Sequence, residues 1–190
     1  MNVWQERDMK EIQVGNAKLQ FLVGDITAQD TDAVVNAANT RLAPGGGVAG
    51  AIHGAAGPGL WEECSKLGGC ETGEAKITKA YELPNKYVIH TVGPVYRGSP
   101  DDPRLLRSCY LNSLKVAEVN QVRSVSFPAL STGIFGYPTG AAAQVAIKAI
   151  REYLQKDTKI EVVRMVLYNK AAYDEHLRAL EALDAGVDLS

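Results

Sequence analysis

The chain has 190 residues, a formal net charge of -2 at pH 7, 46% hydrophobic residues and 22% charged residues. This size suits one domain with its own apolar core, and the composition excludes disordered, collagen-like and coiled-coil chains. Proteins that bind nucleic-acid phosphates usually carry a basic excess, so the pI near 5.9 argues against DNA or RNA as a partner.

The cysteines and the first residues indicate a cytoplasmic protein. Cys64, Cys70 and Cys109 form an odd set without a C-x-x-C pair, whereas secreted disulfide frameworks use even sets and structural zinc sites need denser spacing. The N-terminus is charged where a signal peptide is apolar, and Gly and Pro interrupt the long uncharged runs 42–61 and 124–147. We therefore expect a cytoplasmic monomer with no metal, cofactor or membrane partner.

Short apolar, β-branched runs predict seven strands, at residues 11–14, 19–23, 33–36, 75–78, 87–91, 122–127 and 162–168. Runs of this kind are typical of strands that are buried on both faces of a parallel or mixed sheet. His90 lies inside one of them, and we predict that it is a core histidine with hydrogen-bond partners.

Helical patterns alternate with these strands. Asp101, Asp102 and Pro103 are typical of a helix start, with an acidic cap and a proline in the first turn. Apolar stripes predict helices over 142–154 and 173–180, and residues 47–56 and 60–67 are further candidates. The alternation predicts an α/β three-layer sandwich over residues 11–184, between a polar extension at 1–10 and a tail at 185–190. Ligands of such sheets bind beyond the carboxyl ends of the strands.

The third predicted strand ends at Asn36, and the segment after it contains Asn39 and the glycines at 45–47. Residues 42–61 hold seven of the 18 glycines and no charged side chain. Consecutive glycines let backbone N–H groups approach an anion, and a helix that begins near Gly47 would add its dipole. A flexible loop is the alternative, but the two asparagines and the helix start favour a phosphate or ribose site.

Two more post-strand segments have candidate chemistry. Residues 127–138 turn on two glycines and contain no Lys or Arg, so any phosphate there would be held by amide dipoles; an ordinary βα loop is an equally good interpretation. Neither a P-loop nor G-x-G-x-x-G after the first strand is present. Asp25 follows a strand, where it could cap a turn or accept a hydrogen bond from an adenine amino group.

Five motifs together resemble a macrodomain of the MacroD type: GDIT at 24–27, VVNAAN at 34–39, GGGVAGAIHGAAGP at 45–58, IHTVGP at 89–94 and FPALSTGIFGYP at 127–138. The resemblance runs from about Leu19 to Leu183. It implies a macrodomain-like α/β/α sandwich with a mixed, mostly parallel sheet and an ADP-ribose cleft at its C-terminal edge.

The same resemblance implies roles for individual residues. Asp25 would bind the adenine N6 group, Ile26 would flank the ring, and Tyr168 would stack on it. Asn39 would contact the distal ribose, which Phe135 would orient. The remaining ligand-binding residues would be Asn36, the first phosphate loop of Gly46, Gly47 and Val48, and the second phosphate loop of Ser131, Thr132, Gly133, Ile134, Phe135 and Gly136. Asn39, Gly133 and Phe135 would take part in catalysis.

Ala49 departs from the family pattern. MacroD-type hydrolases usually have GGGVDGAI, in which the Asp helps to activate water, and Ala49 stands at that position. A methyl group cannot accept a proton. We expect slow hydrolysis of ADP-ribose esters, on mono-ADP-ribosylated Asp or Glu of partner proteins and on O-acetyl-ADP-ribose. The alternative is a reader module that binds ADP-ribose without turnover.

Overall fold

The predicted strands form one mixed seven-stranded sheet in the computed structural model, which describes residues 8–187. The strands are β1 (Lys10–Val14), β2 (Ala17–Val23), β3 (Ala33–Ala37), β4 (Ala75–Lys79), β5 (Tyr87–Thr91), β6 (Ser124–Phe127) and β7 (Val162–Leu167). The helices of this range are α1 (Gly47–Ala56), α2 (Pro58–Cys64), α3 (Asp101–Val119), α4 (Thr139–Leu154) and α5 (Lys170–Asp184). Residues 1–7 of the predicted extension and 188–190 of the predicted tail lie outside the described residues.

The sheet order is β1-β2-β7-β6-β3-β5-β4. Strands β2, β7, β6, β3 and β5 are mutually parallel, whereas β1 and β4 pair antiparallel at the two sides of the sheet. The carboxyl ends of five neighbouring strands therefore meet at one edge, and the loops that follow them share that edge.

Helices cover both faces of the sheet. One apolar core contains Ala33 and Val35 of β3 together with residues of α3, α4 and α5. A second core, on the opposite face, contains Val34 of β3 with residues of α1 and α2. Successive side chains of a strand point to opposite faces, so this near-continuous apolar strand is buried on both sides. The three-layer α/β/α prediction is confirmed.

Some predicted bounds differ from the observed ones. Strand β6 begins at Ser124 rather than 122, and β7 ends at Leu167, one residue before the exposed Tyr168. Helix α2 spans Pro58–Cys64 rather than 60–67, because Pro58 suits a first helical turn and Gly68 and Gly69 take positive φ angles soon after its end.

The start of α3 is capped differently from the prediction. Asp102 is buried, and its carboxylate accepts hydrogen bonds from the backbone N–H groups of Arg97 and Ser99, which precede the helix. The hydroxyl of Ser99 accepts instead from Asp101 N–H, at 3.2 Å. Asp102 therefore holds the loop that precedes α3, and the Ser99 hydroxyl accepts a hydrogen bond from the first turn of the helix. Within residues 8–187, no helix is long and apolar enough to cross a membrane.

Candidate functional site

The predicted first phosphate loop leads from β3 into α1. Gly46 caps α1 in an extended conformation, and Gly47 has a φ of 56°, a value that L side chains rarely adopt. A Cβ at Gly46 or Gly47 would meet no heavy atom of the described chain within 4 Å. The amides of Gly47, Val48 and Ala49 belong to the first helical turn, which has no acidic residue, so their N–H groups have no intrahelical partner. This loop offers an anion both open amides and the positive end of a helix.

Asn39 organises the same loop from its side chain. Its Oδ1 accepts from the N–H of Ala43 at 3.0 Å and of Arg41 at 3.2 Å, and its Nδ2 donates to the Ala43 carbonyl at 2.9 Å. A Cβ at Gly45 would lie 3.6 Å from Asn39 Nδ2 and 4.0 Å from the Ala49 Cβ. Asn39 and the first turn of α1, with Ala49, therefore both approach Gly45, and much of the Asn39 amide already holds the backbone.

The second phosphate loop follows β6. Gly136 N–H donates to the Gly133 carbonyl at 3.0 Å and has a φ of 73°. Across residues 8–187, the N–H groups of Gly133, Ile134 and Phe135 have no acceptor. The side chain of Ile134 is 100% exposed. Three consecutive open amides without a basic side chain suit a phosphate that is held by dipoles rather than by point charges.

The base of the second loop is held firmly. Leu130 N–H donates to the hydroxyl of Tyr110, a fully buried side chain on α3 whose ring packs against Phe127 at 5.0 Å. The next residue, Ser131, has a φ of 66° and a buried Oγ without a hydrogen-bond partner in the described range. A Cβ at Gly93 would collide with the Ser131 Oγ, so a larger residue there would force the serine hydroxyl to move. Neither Gly93 nor Tyr110 was predicted from the sequence to be a site residue.

The loops after β5 and β6 are joined. Tyr96 N–H donates to the Phe135 carbonyl at 2.8 Å, and the rings of Tyr96 and Tyr137 lie 4.8 Å apart. The Phe135 side chain is half-buried. The loop after β5 thus supports Phe135 across the end of β3, the strand that lies between β5 and β6 and that precedes Asn39.

Asp25, Ile26 and Tyr168 lie at the opposite end of the site, beyond β2 and β7. Gly24 N–H donates to the Leu167 carbonyl at 2.9 Å, which joins the loops after these two strands. Asp25 is exposed and Ile26 is buried, whereas the Tyr168 side chain is 91% exposed. Asp25 caps a 3-10 turn over Ile26–Ala28, since its Oδ1 accepts from the N–H and the hydroxyl of Thr27. The cap uses Oδ1, and Oδ2 has no partner within residues 8–187.

Asn36 does not line the cleft as the sequence analysis expected. It is 1% exposed and faces the α1 side of the sheet, where its Nδ2 lies 3.1 Å from His90 Nδ1. His90 Nε2 lies 2.9 Å from the hydroxyl of Thr78, which donates to the Lys79 carbonyl. Asn36 and His90 are directly opposite each other in the pairing of β3 with β5. Each is a polar residue in an otherwise apolar run, and that feature of the sequence could have indicated their contact. The prediction that His90 is a core histidine with partners is confirmed.

Burial lowers the pKa of two neighbouring histidines, His53 on α1 and His90 on β5. Desolvation lowers the pKa of His90 to about 3, with a smaller contribution from nearby His53, whose ring lies 6.4 Å away. Desolvation also lowers the pKa of His53, and neither of its ring nitrogens has a partner in the described range. Burial raises the pKa of the Cys64 and Cys109 thiols to about 11, which makes both of them poor nucleophiles.

We expect the free energy of unfolding to fall as the pH drops below about 6.5, the pKa of an unperturbed histidine. Above that pH, His90 is neutral in both states and contributes no pH dependence. Below it, the unfolded chain takes up a proton that folded His90 refuses until about pH 3. Urea unfolding from pH 7 to 4 measures the slope, which His90→Gln should reduce by about 1.4 kcal/mol per pH unit. An equal slope in both proteins would contradict the buried neutral state.

Two other surface cavities lie away from these loops. One, of about 390 Å³, is lined by Glu118, Arg123 and Asp157 among others, at the amino ends of β6 and β7. The other, of about 420 Å³, adjoins β4 and the end of α3. Neither touches a predicted site residue. The described residues contain no group of three or more His, Cys, Asp or Glu side chains that could hold a metal ion.

The fold and the site define an α/β domain whose paired glycine loops suit the pyrophosphate of a nucleotide. The Macro domain family profile matches residues 35–146, and the chain belongs to this family. A macro domain-containing protein of Chlorobaculum tepidum is 51% identical over 168 residues, which cover 88% of this chain and 98% of that one. The ADP-ribose glycohydrolase MACROD2 of Xenopus laevis is 51% identical over 90% of this chain, and the match spans only 42% of that protein.

Solved structures agree with this assignment. The Oceanobacillus iheyensis macrodomain with ADP has a TM-score of 0.90 and 38% identity, with 94% of this chain and 98% of that chain covered. The Trypanosoma brucei macrodomain in complex with ADP-ribose has a TM-score of 0.80 and 40% identity, with 85% and 68% covered. The macrodomain fold expected from the resemblance is confirmed.

Proposed function

We propose that this domain binds ADP-ribose at the carboxyl edge of the sheet and slowly hydrolyses ADP-ribose esters. The observation that carries the proposal is the pair of uncharged loops with open amides, at Gly47–Ala49 and Gly133–Phe135. The glycohydrolase named above and the macrodomain structures with ADP and with ADP-ribose support it.

The strand order gives the direction in which the ligand would lie. Asp25, Ile26 and Tyr168 follow β2 and β7 and would hold the adenine. The second phosphate loop follows β6 and the first follows β3, so the pyrophosphate would lie between them. The distal ribose would then reach Asn39 and Phe135, with its ester bond near Ala49.

The chemistry we propose is attack of water on an ester of the distal ribose. Ala49 provides no base, so water would be oriented by Asn39, by neighbouring amides and by the phosphates of the substrate. Neutral groups orient water but accept protons poorly, which is why we expect slow turnover. The proposed substrates are mono-ADP-ribosylated Asp or Glu on partner proteins and O-acetyl-ADP-ribose. We propose that the domain acts as a monomer in the cytoplasm, and its three free, buried cysteines are in keeping with that location.

Ala49 also favours a second candidate function. With no carboxylate in the first turn of α1, the domain could bind ADP-ribose on proteins without releasing it. A hydrolase and a reader would share the binding loops, and they would differ only in product release from an ADP-ribosylated protein.

Isothermal titration tests the binding function. We expect ADP-ribose to bind more tightly than ADP, and ADP more tightly than AMP, because each shorter ligand leaves part of the cleft unfilled. Lys159→Ala, in the cavity at the opposite edge, is the control and should retain the same order of affinities. If ADP-ribose gives neither heat nor a thermal shift at millimolar concentration, the proposed function is wrong.

A further inference from the structure

Arg164, in the middle of β7, forms hydrogen bonds with residues of β2 and of the loop that carries Asp25. Its Nε donates to Gln20 Oε1 at 2.9 Å. Its Nη1 donates to Asp30 Oδ1 at 2.7 Å and to Gln29 Oε1 at 3.2 Å. The arginine side chain is 18% exposed and both glutamines are buried, so the contacts with Gln20 and Gln29 lie under the surface, whereas Asp30 is 89% exposed and its contact lies at the surface. The hydrogen bond from Arg164 lowers the pKa of the Asp30 carboxyl, and the two charges offset each other.

Arg164 determines how the Gln29 side chain is oriented. A guanidinium group only donates hydrogen bonds, so the amide oxygen of Gln29 must face Arg164. The amide nitrogen must then point the other way, and it donates to the Asp25 carbonyl at 2.7 Å. Gln29 is buried, and its own carbonyl accepts from Asn85 Nδ2 at 3.0 Å. The Gln29 side chain therefore connects Arg164 of β7 to the backbone of Asp25 through two hydrogen bonds.

Asp25 is consequently held at both of its polar ends. Gln29 holds the backbone carbonyl, and Thr27 holds Oδ1 through two hydrogen bonds at 2.7 and 2.8 Å. An acceptor oxygen with a fixed direction favours a ligand that presents a donor to it and disfavours a ligand that presents a second acceptor, because two lone pairs would then face each other with no proton between them.

We propose that Gln29 and Arg164 are positioning residues that set the base selectivity of the cleft, for a 6-aminopurine over a 6-oxopurine. This inference rests on the proposed function, in which Asp25 accepts a hydrogen bond from the adenine amino group. A loosened Asp25 could turn away from the oxygen of a 6-oxopurine, and discrimination between the two bases would fall.

The test compares ADP-ribose with its hypoxanthine analogue, which carries an oxygen in place of the amino group. Titration of the full chain gives the ratio of the two dissociation constants. We expect the parent to prefer ADP-ribose, and we expect Gln29→Met to reduce that preference about three- to tenfold, the effect of losing one neutral hydrogen bond. Arg164→Lys retains the charge beside Asp30 but cannot reproduce the planar fork, and it should reduce the preference in the same direction.

The matched control is Asn112→Leu on α3, which removes a half-buried hydrogen bond from the asparagine side chain to the Gly73 carbonyl. It should change thermal stability and leave the base preference unaltered. Equal weakening of both ligands in Gln29→Met and Arg164→Lys would overturn the inference, since a purely structural role predicts that result. If the parent binds ADP-ribose with no preference over the analogue, the inference fails while the proposed function stands. If the parent binds neither ligand, the proposed function itself fails.

Discussion

Replacing Ala49 by Asp is expected to accelerate the release of ADP-ribose from an ester-linked substrate. A positioned general base contributes about 10²–10⁴-fold in rate, and the low end of that range applies because the surrounding residues are not shaped to hold a new carboxylate. Ala49 lies in the first turn of α1 beside the loop that Asn39 organises. A negative charge is favourable at that end of a helix. Affinity for free ADP-ribose should change little, because the loop glycines are unaltered.

Single-turnover release from an ADP-ribosylated protein measures this effect. Ala49→Asn is the matched control, since it has nearly the shape of the carboxylate variant and cannot act as a base at neutral pH. Asn39→Ala should slow both the parent and the Asp variant. If the parent already releases ADP-ribose as fast as Ala49→Asp, water activation does not depend on position 49. If both bind tightly and neither turns over, the domain is a reader.

Asp25→Ala is expected to weaken ADP-ribose binding by about 1–3 kcal/mol, the range for losing a hydrogen bond to a charged group. Because Asp25 also caps the turn at Thr27, two further variants separate the two roles. Asp25→Asn can retain the cap but replaces the free oxygen by a donor, so it should also lose affinity. Thr27→Val removes the hydroxyl contact and leaves the carboxylate, so it should lose little. Unchanged affinity in Asp25→Ala would show that this residue is only a turn cap.

The sequence was informative where function depends on local chain chemistry. Gly47 and Gly136 take positive φ angles. The uncharged run around Gly47 favoured a ligand loop, whereas the run around Gly136 fitted an ordinary βα loop equally well, and only the family resemblance indicated a phosphate loop there. The strands were predicted because side chains such as those of Val34 and Val35 are buried on opposite faces of the sheet. These features are encoded within a few residues of one another.

The sequence was less informative where distant residues meet. Arg164 and Gln29 are 135 positions apart, and their contact follows from the pairing of β2 with β7. Asn36 was assigned to the ligand because it precedes a glycine-rich loop, but strand alternation turns its side chain inward toward His90. The direction of a side chain at a strand end depends on register, and register becomes visible only once the sheet is assembled.

A ¹H–¹⁵N NMR titration of the full chain with ADP-ribose tests the central claim most directly, namely that open backbone amides of two uncharged loops hold the pyrophosphate. The account predicts the largest amide shifts at Gly47, Val48, Gly133, Ile134 and Phe135, with smaller ones near Asp25. Shifts concentrated at Arg123 and Asp157, in the cavity at the amino ends of β6 and β7, with the loop amides unmoved, would contradict it.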